Sequence, residues 1–585
     1  MYRCIRLKKK PVCSLQDLTV WKDYESGATI YENQDWLDRI HQAGDPLFTT
    51  GPRQYLIGLS GMGIADLAGL NILAGYPGGD VSDALESMGT IATPSLEDFV
   101  MEMEDWGGAM IMLSDLGSTH TTDGASTWIY DPSYYMGGYS AYPGVSTTGK
   151  HTLDISVNAD TDGTFSLWLD MIFGPGCGTV TVYVDGKEVA EIDTSGTFTH
   201  SAWTHVADLD MTKGSHKVTL STHGDGKICL QRTLWIGADE YDAALSRATE
   251  LLTKLADQTA FVLPVSSSSW DGVYLPWLGE DGYGIGSFYT NSFVVDGKPQ
   301  EVKPGETITL GEIPQTTAGV PYTIELNAAP LDANSAVLVE VWENNSDMPI
   351  GTLVVSGADM QGAALTVVSS GGSLKITLKS VGQNTAYLDS LSVSLEHSYA
   401  THSIDLPYGG DFLIRVAGES AGTFSIDGEQ VDLQHNGDYL EAVIHLEAGV
   451  HELRVDDMNF YGVSLLPADF SVSDGSAGTI EFTHPTNTDY TIKTSSENWM
   501  WMIVADSYSD LWVATLEDGT VLDHIATNSM ANAYYVPPGE HTITLHYEGQ
   551  ETYNEMLLTY LVVVAGAAVV MFVVVRLMQN KKRGL

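Results

Sequence analysis

A chain of 585 residues exceeds what one hydrophobic core sustains, so several domains are expected. With 27 Lys and Arg against 76 Asp and Glu, the formal charge of −49 excludes broad contact with a phosphate backbone, and nucleic acid is set aside as a partner. Four cysteines, Cys4, Cys13, Cys177 and Cys229, exclude a disulfide framework and show no zinc-ribbon spacing.

The N-terminal segment, 1–34, opens with MYRCIRLKKKPVCSLQDL, which is basic but lacks the apolar run of roughly 7 or more residues that a secretory signal needs. The chain therefore reads as the C-terminal part of a longer protein, the alternative being a tail-anchored one. Residues 35–127 read as a small α/β domain. Asp35 to Ile40 has a helical pattern, Asp45 to Thr50 a strand entering a turn, Leu96 to Trp106 a second helix and Ala109 to Ser114 an apolar strand. Gly58-Leu59-Ser60-Gly61-Met62-Gly63 matches neither the dinucleotide spacing nor a P-loop and is read as a turn.

From 128 the texture changes to short alternating strands broken by Gly, Asp and Asn turns, the pattern of sandwiches and barrels. A unit recurs: Asp185-Gly186 precedes Gly214-Ser215-His216, Asp427-Gly428 precedes Gly449-Val450-His451, and Asp518-Gly519 precedes Gly539-Glu540-His541. Each copy couples an Asp-Gly hairpin to a strand opened by glycine. A fourth version, Gly372-Ser373-Leu374, carries leucine where the others carry histidine, so the histidines read as strand-entry packing residues, not ligands. The expected modules are 128–238, 300–396, 397–468 and 469–550. The connector 239–299 holds an amphipathic helix, Asp239 to Gln258, and an aromatic, Gly- and Ser-rich stretch, Ser266 to Tyr289, suited to carry exposed rings.

Chemistry is sparse. Trp128, Tyr130, Tyr134, Tyr135, Tyr139 and Tyr142 crowd the entry to the first module, and aromatic faces beside carboxylates are what sugar rings stack on; core packing explains them equally well. Cys177 and Cys229 fall in one module, either as a disulfide in an oxidising compartment or as two thiols. Asn158 to Gly163 begins like a calcium loop but has Leu169 where a bidentate carboxylate belongs, so it reads as a hairpin. Asn344-Asn345-Ser346 is a sequon, making Asn344 a candidate N-glycosylation site. No catalytic, cofactor or metal-binding residue is assigned, and no cofactor is expected.

Met556 to Val575 runs for twenty residues without a charge, enough to span about 30 Å of hydrocarbon as a helix. Arg576, Lys581, Lys582 and Arg583 follow in a basic tail, 576–585, which stays cytoplasmic by the positive-inside rule. The expected topology is a single-pass cell-membrane protein with its bulk outside the cytoplasm and the bilayer as partner.

Ala505-Asp506-Ser507-Tyr508, Trp512-Val513-Ala514, Asp518-Gly519, Val536 to His541 and Tyr547, followed directly by a membrane helix, resemble the C-terminal β domain of the YfhO-like family, polytopic proteins related to integral membrane glycosyltransferases. Trp36-Leu37, Asp45 to Thr50, Pro52-Arg53 and Tyr55-Leu56 are similar, more loosely, to the soluble α/β region of such enzymes. The first module resembles jelly-roll, galactose-binding-like and carbohydrate-binding modules in general form. The many-helix catalytic core of the family is absent from this sequence, so the resemblance implies an accessory ectodomain and not transferase activity. The fold expected is multidomain and mainly β: a small α/β domain, tandem β-sandwich modules and one C-terminal transmembrane helix. The function expected is binding or interaction at the cell envelope, with glycans or envelope proteins as partners. The alternative is the accessory ectodomain of a membrane glycosyltransferase whose catalytic part is encoded separately.

Overall fold

The computed structural model describes residues 4–7, 18–23, 28–33, 39–43, 46–51, 53–65, 71–73, 90–116, 119–120, 126–131, 144–279, 282–295, 298–328, 334–344, 346–356, 363–418, 422–470, 478–486, 488–527 and 531–582. The protein is mainly β, with sandwiches built around one mixed sheet. In that sheet Asn71–Leu73, Leu47–Thr49, Thr90–Thr93 and Thr259–Pro264 run parallel in this spatial order. Phe460–Pro467, Gly410–Gly418, Tyr439–Leu446 and Gln434–Asn436 continue it antiparallel. The strand Thr259–Pro264 is buried along its whole length because helices cover both faces, as parallel strands require. Ala260 and Val262 pack with Tyr55, Leu56 and Leu59 of helix Arg53–Gly61, while Phe261 and Leu263 face the core that holds Phe99 of helix Leu96–Met103 and Ala244, Ala248 and Leu252 of helix Ala238–Lys254.

Local chemistry sets the helix ends. Ser95 caps the helix Leu96–Met103 by accepting from the Asp98 amide at 3.0 Å, and Glu97 and Asp98 suit the positive end of its dipole. The glycine run read as a turn is instead the end of helix Arg53–Gly61: Gly63 lies at φ +66, and a Cβ on Gly58 would stand 2.6 Å from that of Pro264. Glycine there lets helix and strand approach closely.

The first sandwich interrupts this α/β unit between helices Leu96–Met103 and Ala238–Lys254. One sheet holds His200–Met211, Gly163–Phe173, Lys227–Gly237, Gly144–Thr148 and Ser126–Asp131; the other holds Thr152–Ala159, Gly214–Thr222, Thr179–Val184 and Lys187–Asp193. Alternate burial along Thr152–Ala159 shows one face on the core. The apolar strand expected at 109–114 is confined to Met110–Met112 and pairs antiparallel with Arg232 to Leu234, so it belongs to this sandwich and not to the parallel layer.

The second sandwich, Phe288 to Leu395, has its own core. In the unit from Tyr399 to Pro467, one sheet is separate and the other is the antiparallel half of the central sheet, so its core is continuous with that of the α/β layers. The last sandwich, Gly478 to Tyr547, is completed from the other end of the chain: Ile40–Ala43 pairs with Trp501 to Val504. Ile40 is therefore a strand residue, fully buried, where a helix was expected; 35–38 lie outside the described residues. Arg39 donates to Asp506, which also accepts from the Tyr490 hydroxyl at 2.9 Å, locking this strand in place. Helix Gly549–Lys582 follows, and within it Met556–Arg576 is long and apolar enough to cross a membrane, with every residue of the span exposed.

The recurring hairpins have a shared physical purpose. Asp185 and Gly186 adopt φ 50 and 80, and Asp427 and Gly428 φ 52 and 79, which are two-residue turns of positive φ. Asp185 accepts from the Lys217 amide at 2.9 Å and from His216 Nδ1 at 2.7 Å, while His216 Nε2 donates to the Thr212 carbonyl at 2.7 Å. Asp427, His451, Glu452 and Glu447 repeat this bonding. In the third copy the carboxylate is Glu517, one residue before the turn Asp518, and it accepts from His541 and the Thr542 amide. A carbonyl and a carboxylate both only accept, so in the first two copies both ring nitrogens of His216 and of His451 donate, and each of these two rings is an imidazolium. Leu374 in the fourth version is fully buried.

Hydrogen bonding to Asp185 raises the His216 pKa above 6.5, and the Lys217 amide followed by His216 lowers that of Asp185 below 3.8. The histidine contribution is complete below its unfolded value and fades as pH rises through the raised one. The aspartate contribution is complete above its unfolded value and fades as pH falls through the lowered one. Asp185→Asn and Asp427→Asn are therefore expected to lower the melting temperature most between about pH 4 and 6.5, by no more than about 1 kcal/mol each for such exposed pairs, and least at pH 9. A loss that is the same at every pH, read by thermal denaturation, would contradict the imidazolium assignment.

Candidate functional site

Three segments meet to form a half-open groove of about 390 Å³. The first sandwich supplies Pro175 and Thr197 to Thr199, the hairpin after the central sheet supplies Pro276, Trp277 and Tyr283, and the second sandwich supplies Tyr289, Asn291 and Glu312. The hairpin pairs Leu275–Gly279 with Gly282–Gly286 and sets Trp277 opposite Gly284. A Cβ on Gly284 would lie 2.5 Å from the Trp277 ring, so glycine lets the indole lie flat across the ribbon. Tyr461 holds that ring edge-on at 4.8 Å, and Tyr283, 37% exposed, packs 5.0 Å from Phe198.

Asn459 fixes the entry to the second sandwich. It is buried, its Oδ1 accepts from the Ser287 amide at 3.0 Å, and its Nδ2 donates to the Phe288 carbonyl at 3.2 Å. That staple positions the strand Phe288–Ser292, which carries Tyr289 and Asn291. Burial pushes the Tyr289 phenol up, so it stays neutral. Asn291 donates to the Leu310 carbonyl at 2.9 Å, and Glu312 lies 3.7 Å from Lys375. No lysine or arginine is among the described residues lining the groove.

A second cluster lies where the first sandwich meets the carboxyl ends of the parallel strands. Arg232, almost fully buried, donates to Asp170 at 2.7 Å and to Glu102 at 3.1 Å, and its guanidinium stacks 4.7 Å from the Trp203 ring. Asp170 also accepts from Ser201 at 2.9 Å and Gln231 at 3.1 Å. Asp98 lines the same hollow of about 30 Å³, which holds little more than a water molecule. Burial pushes Asp98 up to about 7 and raises Asp170. With Asp170 and Glu102 on one guanidinium and Asp98 lining the same small space, the arrangement fastens helix Leu96–Met103 to the sandwich and leaves no room for a substrate.

The residues singled out in the sequence are scattered. Trp128 is fully buried in the first sandwich core and presents no face to a sugar, which corrects its reading as a contact residue. Tyr130 is 46% exposed on the strand Ser126–Asp131, and Tyr134, Tyr135, Tyr139 and Tyr142 lie outside the described residues. Cys177 and Cys229 are thiols and not a bridge: Cys229 packs against Ile172, and Cys177 is half-buried. Asn344, exposed and at φ 45, accepts from the Ser373 amide at 2.9 Å. Asp162 of the calcium-like stretch accepts from the Lys213 amide at 2.6 Å and Leu169 is fully buried, as a hairpin requires. The signal that did find the groove is the aromatic stretch Ser266 to Tyr289, which contributes Pro276, Trp277, Tyr283 and Tyr289. Phe198 carried no signal of its own.

No protein-family model matches the sequence, and no curated protein matches it. Among solved structures, arabinofuranosyltransferase AftD from Mycobacteria is 10% identical over 92% of this chain and 53% of its own, with a TM-score of 0.30. A family 35 carbohydrate binding module from an environmental isolate is 16% identical over 16% of this chain and 69% of its own, at 0.14. The tandem CBM51 modules of the family 98 glycoside hydrolase from Streptococcus pneumoniae are 13% identical over 49% of this chain and 97% of their own, at 0.16. The chain spans about half the length of the arabinofuranosyltransferase. At these scores the likenesses carry no argument.

Proposed function

We propose that this chain is a membrane-anchored ectodomain that binds neutral glycans in the groove between its first two sandwiches. The groove itself carries the reading: Phe198, Trp277, Tyr283 and Tyr289 offer aromatic surface for the C–H faces of sugar rings, and Thr197, Asn291 and Glu312 offer polar atoms for the hydroxyl rim. The one carboxylate among the described lining residues, Glu312, is paired with Lys375 at 3.7 Å, and no lysine or arginine is among them, so the groove offers no free cation for a uronic or sialic acid. The helix Gly549–Lys582 would supply the anchor, and the basic residues Arg576, Lys581 and Lys582 in the sequence at its end support a topology with the sandwiches outside the cytoplasm. Tyr130, exposed on the first sandwich, is a further contact for a long glycan, and the sequon at Asn344 fits the same exterior.

The accessory-ectodomain reading, to which the YfhO-like resemblance belongs, differs in what the groove serves: it would hold an acceptor glycan for a polytopic catalytic partner. The detergent-solubilised chain applied to a glycan array is expected to retain a subset of neutral oligosaccharides. Retention of none, or of acidic glycans alone, sinks the reading, and co-purification of a polytopic protein selects the accessory form.

A further inference from the structure

We infer that Ser269 and His200 are the nucleophile and general base of an acyl-transfer site that removes O-acyl groups from sugars. The choice of sugar esters rests on the groove reading above; the dyad itself does not. The serine run Ser266 to Ser269 follows the strand Thr259–Pro264 at its carboxyl end, the edge of a parallel sheet where α/β folds place their ligands. His200 opens the first-sandwich strand His200–Met211 and reaches the same place.

Their geometry fixes the roles. His200 Nδ1 stands 3.0 Å from the Phe198 carbonyl, which can only accept, so Nδ1 holds the ring proton and Nε2 keeps its lone pair. Nε2 faces Ser269 Oγ at 3.4 Å, a separation that an empty site closes when substrate arrives. Phe173 stacks on the imidazole at 5.7 Å, and burial lowers the His200 pKa, keeping it a neutral base at pH 7. The base is buried while Ser269 is exposed, so the hydroxyl meets the substrate.

Both residues line a cavity of about 210 Å³ that shares Thr197 and Phe198 with the aromatic groove, so an ester on a bound ring lies within reach. The Ser267 amide turns back to the Pro264 carbonyl at 3.1 Å; among the described residues the next two amides, of Ser268 and Ser269, donate to no acceptor. Two N–H groups that no described residue occupies, beside the nucleophile, suit a developing oxyanion. No G-x-S-x-G elbow announces this site, because the base comes from an inserted domain and a backbone carbonyl orients it in place of a carboxylate.

In the first step Ser269 Oγ bonds to the acyl carbon, its proton passes to His200 Nε2, and the carbonyl electron pair moves onto the oxygen. Collapse breaks the bond to the sugar oxygen, which leaves with the proton from Nε2. Water then attacks the acyl-serine, giving its proton to Nε2; collapse returns that proton to Ser269 Oγ and frees the carboxylic acid. Nothing is oxidised or reduced.

The test treats the intact, detergent-solubilised chain with a fluorophosphonate and maps adducts by peptide mass spectrometry. It also follows release of acetate from an O-acetylated neutral oligosaccharide. A Ser269 adduct is expected in the folded chain and not after denaturation. Ser269→Ala, at an exposed position, should lower acetate release at least 100-fold while leaving glycan retention unchanged. Labelling of Ser269 without any glycan retention would uphold the dyad and reject the groove reading. Glycan retention with Ser269 unlabelled, or acetate release unchanged in Ser269→Ala, would overturn the dyad and leave the groove standing.

Discussion

Arg232→Met is expected to destabilise the first sandwich and the helix Leu96–Met103 together, by about 3–5 kcal/mol, because breaking a buried ion pair leaves an uncompensated charge. Arg232 is 6% exposed and its partner Asp170 is 1% exposed, so water cannot replace the lost guanidinium. Glu102 and Asp98 share the hollow, and their mutual repulsion rises when the cation goes. The loss carries a pH signature. Asp98 titrates at about 7 in the fold, well above the ordinary value of 3.8, so the folded chain holds an extra proton in between. Its contribution is complete below about pH 4 and fades as pH rises through about 7. Limited proteolysis of the variant should therefore be fastest at pH 8 and slower at pH 5.5. Equal resistance of variant and wild type at pH 8 would show that the arginine does not hold the two units together.

Tyr283→Ala is expected to weaken glycan binding about tenfold, close to 1.4 kcal/mol, by removing one aromatic face from the groove. The phenol is 37% exposed and contacts Phe198, so its loss should leave the melting temperature nearly unchanged. Trp277 is a poorer probe, since its ring also covers Gly284 and meets Tyr461, and its removal would disturb the hairpin as well. Titration calorimetry on a glycan retained by the wild-type chain gives the number; an unaltered affinity would remove Tyr283 from the site.

The long apolar helix and the repeated hairpins were legible in the residues, because each is a local pattern. Twenty uncharged residues declare a helix long and apolar enough to cross a membrane wherever they stand, and Asp-Gly followed by a strand opened by glycine fixes a turn through backbone angles alone. The mixed sheet was not legible. Thr90–Thr93 pairs in parallel with Thr259–Pro264 across an inserted sandwich, and parallel neighbours share no turn that could announce them. Asp35 to Ile40 reads as helix from its own residues, yet Ile40 opens the strand Ile40–Ala43 because Trp501 to Val504 offers an edge.

The site was half legible for a related reason. The stretch Ser266 to Tyr289 drew notice for its rings, but Phe198 and His200 sit in a strand entry that looks ordinary until the sandwich folds beside it. Aromatic crowding misled in the other direction at Trp128, since a core ring and a binding ring have the same composition and differ in burial: Trp128 is fully buried and Tyr130, on the same strand, is exposed.

Where a sugar ring rests on this chain is the question that decides the account, and a structure of the intact protein with a retained neutral oligosaccharide answers it. The ring is expected against Phe198, Trp277 and Tyr283, with hydroxyls toward Asn291 and Glu312. A ring bound elsewhere, with that groove empty, would contradict it.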